Sequence, residues 1–258
     1  MPGVVHSGPA SRWRITRIAQ TGSTNADLRV LALAGQAEGA VLLADTQTAG
    51  RGRLDRDWVS PPGASISCSV LLRPEVPGER WVWLPLLAGI AVADGVRAAC
   101  PELRPRLKWP NDVLLGELKV CGILAEVVLG AGSAVILGFG INVNLDADQL
   151  PVPTATSLRL ESGTPVDREA VIDAVLAELA TRYADWVRHD GDPAASGLAA
   201  AYRERCATIG WQVRVERPGA TPLIGQAVAV GDDGRLVVRD ERVDHRLAAG
   251  DVVHVRRA

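Results

Sequence analysis

Gly50-Arg51-Gly52-Arg53, extended by Arg56 and Trp58, has the residue types that anion recognition needs. Alternating glycines let the backbone approach a ligand and supply N–H donors, while the arginines offer forked donors matching phosphate or carboxylate geometry. By itself the run also fits a solvated surface turn or an RGG-like nucleic-acid contact. A second group is Lys108-Trp109-Pro110-Asn111-Asp112, followed seven residues after the Asp by Lys119. Proline belongs at the start or edge of a strand, so Trp109-Pro110 marks an opening in a sheet, with Asn111 and Asp112 at its mouth. Asp112 there could hold Mg²⁺ or pair with a lysine, and Lys119 across a short turn could bring one positive charge to a reacting carbonyl or phosphate. An ordinary hairpin with one surface salt bridge has the same spacing. The third run, Gly138-Phe139-Gly140-Ile141-Asn142, puts two glycines in one strand. That pattern signals a backbone or ligand lying against the strand, with Asn142 able to read an amide or a base edge, although sheet packing alone explains it equally well.

Of the 28 basic residues only Lys108 and Lys119 are lysine. A GC-rich coding composition accounts for the arginine bias, and a lysine surviving it points to a specific task, because an ammonium and a guanidinium are not interchangeable. Other chemistries drop out. There is no G-x-x-x-x-G-K-[ST], and neither Gly50-Arg51-Gly52 nor Gly138-Phe139-Gly140 is completed by the third glycine of a dinucleotide fingerprint. H-E-x-x-H and G-x-S-x-G are missing, and His6, His189, His245 and His254 lie at the chain start or in its last third, which argues against histidine general-base catalysis.

These residues need elements to position them. Ser23-Thr24-Asn25 precedes an apolar helical segment that Gly35 closes, a capped helix with a glycine stop. Gly39 to Thr46 and Ala64 to Leu72 read as strands flanking the polar loop from Gln47 to Gly63. Trp81 to Cys100 reads as a long buried helix closed by Pro101, and the stretch from Leu107 to Val143 as strands joined by tight turns. Pro165 falls at a predicted first helical turn, with Ile172, Val175, Leu176, Leu179, Tyr183 and Trp186 following at helical spacing. After Cys206 the pattern changes to short strands around the turn Gly231 to Gly234, which predicts a small β-barrel and a division into 1–206 and 207–258.

The chain has 258 residues, 47% of them hydrophobic and 22% charged, which fits one folded domain with a small appendage and excludes disordered or fibrous classes. A net charge of −2 provides no global positive field for nucleic acid or an anionic membrane. Cys68, Cys100, Cys121 and Cys206 lack C-x-x-C spacing and read as small core residues in a reducing compartment. Met1 to Arg17 lacks the apolar core of a signal peptide, and the longest apolar run, Trp81 to Ala93, is 13 residues, short of the ~20 a membrane helix needs. The expected location is cytoplasmic.

Taken in order, Ser23-Thr24-Asn25, Gln47, Gly50-Arg51-Gly52-Arg53 with Trp58, Lys108-Trp109-Pro110-Asn111-Asp112, Lys119 with Gly122-Ile123-Leu124 and Glu126, and Gly138-Phe139-Gly140-Ile141-Asn142 resemble the biotin protein ligases over nearly the whole chain. The resemblance implies an α/β (α+β) catalytic domain related to class II aminoacyl-tRNA synthetases and lipoate ligases, followed by a C-terminal SH3-like β-barrel. It implies that biotin and Mg·ATP give biotinoyl-5′-AMP, which acylates one lysine on the biotin carrier domain of an acyl-CoA carboxylase. By position, Ser23, Thr24, Asn25 and Gln47 would meet biotin. Arg51, Gly52 and Arg53 would wrap the carboxylate and α-phosphate, and Gly50 would form part of the same nucleotide cradle. Arg56 would serve the outer phosphates, Trp58 would pack on the adenine, and Asn142 would contact it. Asn111 and Asp112 would serve ATP, with Asp112 toward Mg²⁺, and Lys119 would polarise the biotin carboxyl. Arg53 and Lys119 rank first as catalytic residues.

The run departs from the family pattern at Asp55, where relatives usually carry glycine, and this bears on loop closure and on Arg56. Val120-Cys121 also stands where Leu-Ala is common. Only about 20 residues precede Ser23, too few for the DNA-binding domain of some relatives, so no repressor activity and no nucleic-acid or membrane partner is expected. A lipoate or octanoyl transferase of the same fold is the enzymatic alternative, and a catalytically silent biotin- or nucleic-acid-binding module is the other.

Overall fold

The computed structural model describes residues 12–254 except 54, 55, 59, 60, 131, 218, 219, 242, 249 and 250, so Asp55 lies outside the described residues. Its centre is a seven-stranded sheet in the order β1-β2-β3-β7-β6-β5-β4. The strands are β1 (Arg14–Thr21), β2 (Ala40–Gln47), β3 (Ser65–Leu72), β4 (Pro105–Lys108), β5 (Asp112–Leu115), β6 (Leu118–Val128) and β7 (Ala134–Asn142). β1 and β2 run parallel and every other neighbour is antiparallel. β3 and β7 are buried along their whole length, so they read in sequence as unbroken apolar or small-residue runs. β1 is exposed or half-buried throughout and leaves no periodic trace, which is why sequence reading passes over it.

Helix α1 (Thr24–Leu33) packs against β3 and β7. Helix α2 (Leu84–Ala99) and the 21-residue α4 (Arg168–Arg188) cover the sheet. α2 continues a 3₁₀ turn at Gly78–Trp83, so the predicted single helix is two segments. Gly78–Ala99 is long and apolar enough to cross a membrane, yet two-thirds of its most apolar window is buried inside the protein, as a core helix requires. Gly95 is the contact point, since a Cβ there would meet the Val175 backbone of α4 at 2.7 Å. α4 starts later than the sequence suggests: Pro165 precedes the helix, and the Asp167 carboxylate accepts the Glu169 and Ala170 N–H groups, a stronger start signal than proline. Short helices α3 (Leu158–Ser162) and α5 (Leu198–Arg205) complete this part.

From Gln212 onward the chain forms a five-stranded antiparallel sheet in the order β11-β10-β9-β8-β12, consistent with an SH3-like part. Its strands are β8 (Gln212–Arg217), β9 (Ala220–Val230), β10 (Leu236–Arg239), β11 (Asp244–Leu247) and β12 (Asp251–His254). The two parts are joined through backbone acceptors of its β9–β10 turn. Trp83 Nε1 donates to Asp232 O at 2.7 Å and Trp109 Nε1 to Gly234 O at 3.0 Å. All four cysteines are free and buried, as small core residues.

Candidate active site

The N-terminus of α1, the end of β2, the loop after it, and the facing parts of β3, β5, β6 and β7 enclose a cavity of about 830 Å³. Every sequence-predicted site residue except Gly50 lines it, together with Ser69 of β3 and Trp211 and Val252 of the C-terminal part. Gly50 forms the base of the adjoining loop.

Part of the cavity lining is a buried network of amides and hydroxyls. Ser23 caps α1, its hydroxyl 3.5 Å from Ala26 N, which turns the next two side chains inward. Gln47 Oε1 accepts the Thr24 N–H at 2.8 Å and lies 3.1 Å from Thr24 Oγ1. Ser69 Oγ stands 2.6 Å from Asn25 Oδ1 and 2.7 Å from Thr24 Oγ1. Ser69 has one proton, and Asn25 Oδ1, which has none, must take it. Asn25 Nδ2 in turn donates to Glu126 Oε2 at 2.6 Å. Ser69 is a residue the sequence reading missed: one serine among three in SISCSVLL stands out only once β3 is laid against α1.

A second part of the lining is cationic. The loop after β2 folds back on itself, with Trp58 N–H donating to Gly50 O at 2.8 Å, Gly52 N–H to Arg56 O at 2.6 Å, and Arg51 bridging to Asp57. A side chain at Gly50 would meet Trp58 O at 2.5 Å, so glycine is required for this return. Arg53 Nη1 reaches across to Asn111 Oδ1 at 3.0 Å, and Asn111 Nδ2 donates to Ile123 O at 2.9 Å. Lys119 Nζ pairs with Asp112 Oδ1 at 2.6 Å. Asp112 is only 17% exposed at its side chain, so this is no simple surface bridge.

The glycines of β6 and β7 make the floor. Gly122 and Gly140 are cross-strand partners, and the Trp58 indole lies on them. A Cβ at Gly140 would overlap the indole, and one at Gly122 would meet it at 3.0 Å and Lys119 Nζ at 3.1 Å. Lys119 Nζ sits 5.7 Å from the Trp58 ring centroid. Gly138 likewise leaves room for the Asn25 amide. The paired glycines therefore answer to side chains lying on the strand. Asn142 is buried and its Nδ2 donates to Thr156 O at 2.9 Å. Cys68, at the cavity wall, and Cys121, beside Lys119, have thiols pushed well above the ordinary range by burial.

Among the described residues no cluster of three His, Cys, Asp or Glu side chains could hold a metal ion. Asp112 offers a single carboxylate beside Lys119, a donor set that suits Mg²⁺ carried mainly by phosphate oxygens and not a resident metal held by protein alone.

The combination of a mixed sheet, an arginine loop and a glycine-floored cavity defines the biotin protein ligase fold. A biotin protein ligase from Aquifex aeolicus, solved in complex with biotin and ATP, matches with a TM-score of 0.80 and 27% identity, covering 94% of this chain and 99% of that one. The family model for the biotin/lipoate A/B protein ligase family matches residues 17–144. The chain belongs to that family. It is 44% identical to the biotin–[acetyl-CoA-carboxylase] ligase of Mycobacterium tuberculosis over 96% of this chain and 92% of the relative. A Paracoccus denitrificans protein of the same name is 36% identical over 91% of this chain and 98% of its own length.

Proposed function

We propose that the chain is an ATP-dependent biotin ligase that forms biotinoyl-5′-AMP and transfers the biotinoyl group to one lysine on the biotin carrier domain of an acyl-CoA carboxylase. The observation that carries this is one cavity lined both by a buried hydrogen-bonding network and by a cationic loop. A biotin head group has two N–H donors and one carbonyl, which can complete a network built from Ser23, Thr24, Asn25, Gln47 and Ser69. A dithiolane or alkyl chain has none, so the lipoate and octanoate alternatives would bring no hydrogen-bonding partner to this buried polar network. The 44% identity to a ligase named for biotin points the same way.

In the first step a biotin carboxylate oxygen attacks the α-phosphorus of ATP and pyrophosphate leaves. Charge must be neutralised between two anions, a task for fixed cations more than for a nucleophile. Arg53 and Lys119 take that role, with Arg51 and the Gly52 backbone around the carboxylate and α-phosphate and Arg56 toward the outer phosphates. Asp112 is the residue that would face Mg²⁺ arriving with the triphosphate, and such an ion would supply charge neutralisation at the leaving group. Asn111 holds Arg53 in place. In the second step the acceptor lysine amine attacks the acyl carbon, AMP leaves, and the amine loses its proton to solvent. Trp58 covers the floor on which the adenylate would lie, and Asn142 reaches the adenine through its Oδ1 edge. We assign residues 1–206 to catalysis and 207–258 to the smaller domain, and place the protein in the cytoplasm.

The test is mass spectrometry of a purified biotin carrier domain after incubation with this protein, biotin, ATP and Mg²⁺. A biotin-sized increase on one lysine is expected. No increase under conditions where biotin still binds would remove the transfer step.

A further inference from the structure

Lys119 is held by a segment that belongs to no strand. β7 pairs with β6 only as far as Cys121↔Ile141 and ends at Asn142. Continuing that register would set Val143 beside Lys119, but Val143 N–H donates instead to Ala64 O at 3.1 Å. Residues 154–156 take the vacant place and run parallel to β6. Lys119 N–H donates to Thr154 O at 2.8 Å, Thr156 N–H donates to Lys119 O at 2.8 Å, and Ala155 is the bridge partner of Lys119. On the other side the β5–β6 register slips between Val113 and Leu114, opposite Cys121 and Lys119, so the sheet alone does not set the height of this residue.

Two side chains fasten the segment. Asn142 Nδ2 donates to Thr156 O at 2.9 Å, and the Thr156 hydroxyl donates to Glu161 Oε1 at 2.7 Å. Asn142 is 3% exposed and Thr156 2%, so the first of these bonds is sheltered from water and costly to lose. Neither Thr156 nor Glu161 lines the cavity.

We propose that Asn142, Thr156 and Glu161 form a strap that positions Lys119, and that they act on adenylate formation through the main chain of Lys119 without touching substrate at Thr156 or Glu161. This rests on the role given to Lys119 above. A lysine delivers its charge on a flexible four-carbon stem, and the anchoring of its Cα limits where that charge can sit. Misplacement of a reacting group by ~1 Å costs up to ~100-fold in rate. Because Nδ2 is committed to Thr156, Asn142 keeps Oδ1 for the nucleotide, and adenine binding and lysine placement then share one side chain.

Biotin-dependent ATP–pyrophosphate exchange tests this with Thr156→Val, which removes the hydroxyl at nearly constant volume, Thr156→Ser, which restores it, and Glu161→Ala at an exposed site where folding is not at risk. Thr156→Val and Glu161→Ala are expected to lower kcat by roughly tenfold while KM for ATP and biotin stays within about twofold, and Thr156→Ser to recover most of the rate. In a Lys119→Ala background both changes should have no further effect, because the strap acts only through that side chain. A full multiplicative loss in that background, or a loss confined to KM, overturns the proposal. Absence of exchange in the unmodified protein would overturn the ligase reading itself and the strap with it, and the unmodified control separates that case from the others.

Discussion

Lys119 and Asp112 form a 2.6 Å pair whose lysine side chain is one-third exposed. A partly solvated pair contributes little to folding, on the order of 0–1 kcal/mol, whereas one fixed charge at a reacting centre is worth ~100- to 1000-fold in rate. Lys119→Ala should therefore lower ATP–pyrophosphate exchange by about two to three orders of magnitude and leave the melting temperature nearly unchanged. A variant with unaltered exchange would take Lys119 out of the chemistry. Ser69 makes the opposite prediction. Its side chain supplies the only proton available from Ser69 to Asn25 Oδ1 within a buried network, so Ser69→Ala leaves that oxygen without this donor, at ~1–3 kcal/mol. Calorimetry should show biotin binding weakened about tenfold or more. Unchanged affinity would mean that the network does not meet biotin.

At the level of elements, the arginine loop folds back on itself through the Trp58–Gly50 and Gly52–Arg56 main-chain bonds, and among its described residues Arg51, Arg56 and Asp57 are exposed. Segments with few buried contacts open most readily, and ligands that bind the closed form slow that opening. Hydrogen exchange across residues 50–63 should slow when biotin and ATP are added together. Equal protection with and without ligand would deny the loop its part in holding the adenylate. The loop was legible in sequence because glycine and arginine alternate in so few positions. Its resting contacts were not, since Trp58 lies on Gly122 and Gly140, which are 64 and 82 residues further along the chain.

For the whole molecule, the four cysteines titrate as a measure of burial. Burial raises the thiols of Cys68 and Cys121 far above the ordinary value of 9.0, and at Cys121 it outweighs the lowering by Lys119, which Asp112 opposes. Below pH 9 both folded and unfolded chains keep these protons, and the thiols do not alter stability. Above it the unfolded chain releases protons that the folded chain retains, so stability falls with pH, by at most ~1.4 kcal/mol per pH unit for each thiol. Melting temperatures should drop from about pH 9 upward, less steeply in a Cys68→Ala, Cys121→Ala variant. Equal slopes would show that the thiols are already exposed. At neutral pH a thiol reagent should label none of the four quickly in the native protein and all four in denaturant.

The sequence by itself made the residues of the candidate site legible. The G-R-G-R loop, the K-W-P-N-D run, Lys119 and the G-F-G-I-N strand were visible because rare residue combinations at fixed spacing survive in one dimension. The capped start of α1 and the buried runs of β2, β3 and α2 were visible because burial and capping impose local patterns. Tertiary structure alone decided which residues meet. Ser69 reaches Asn25 across 44 positions, Arg53 reaches Asn111 across 58, and residues 154–156 replace β7 beside Lys119. Such contacts leave no mark in sequence, because a hydrogen bond depends on where two strands or loops are brought by the packing of the whole sheet, and that placement has no local period.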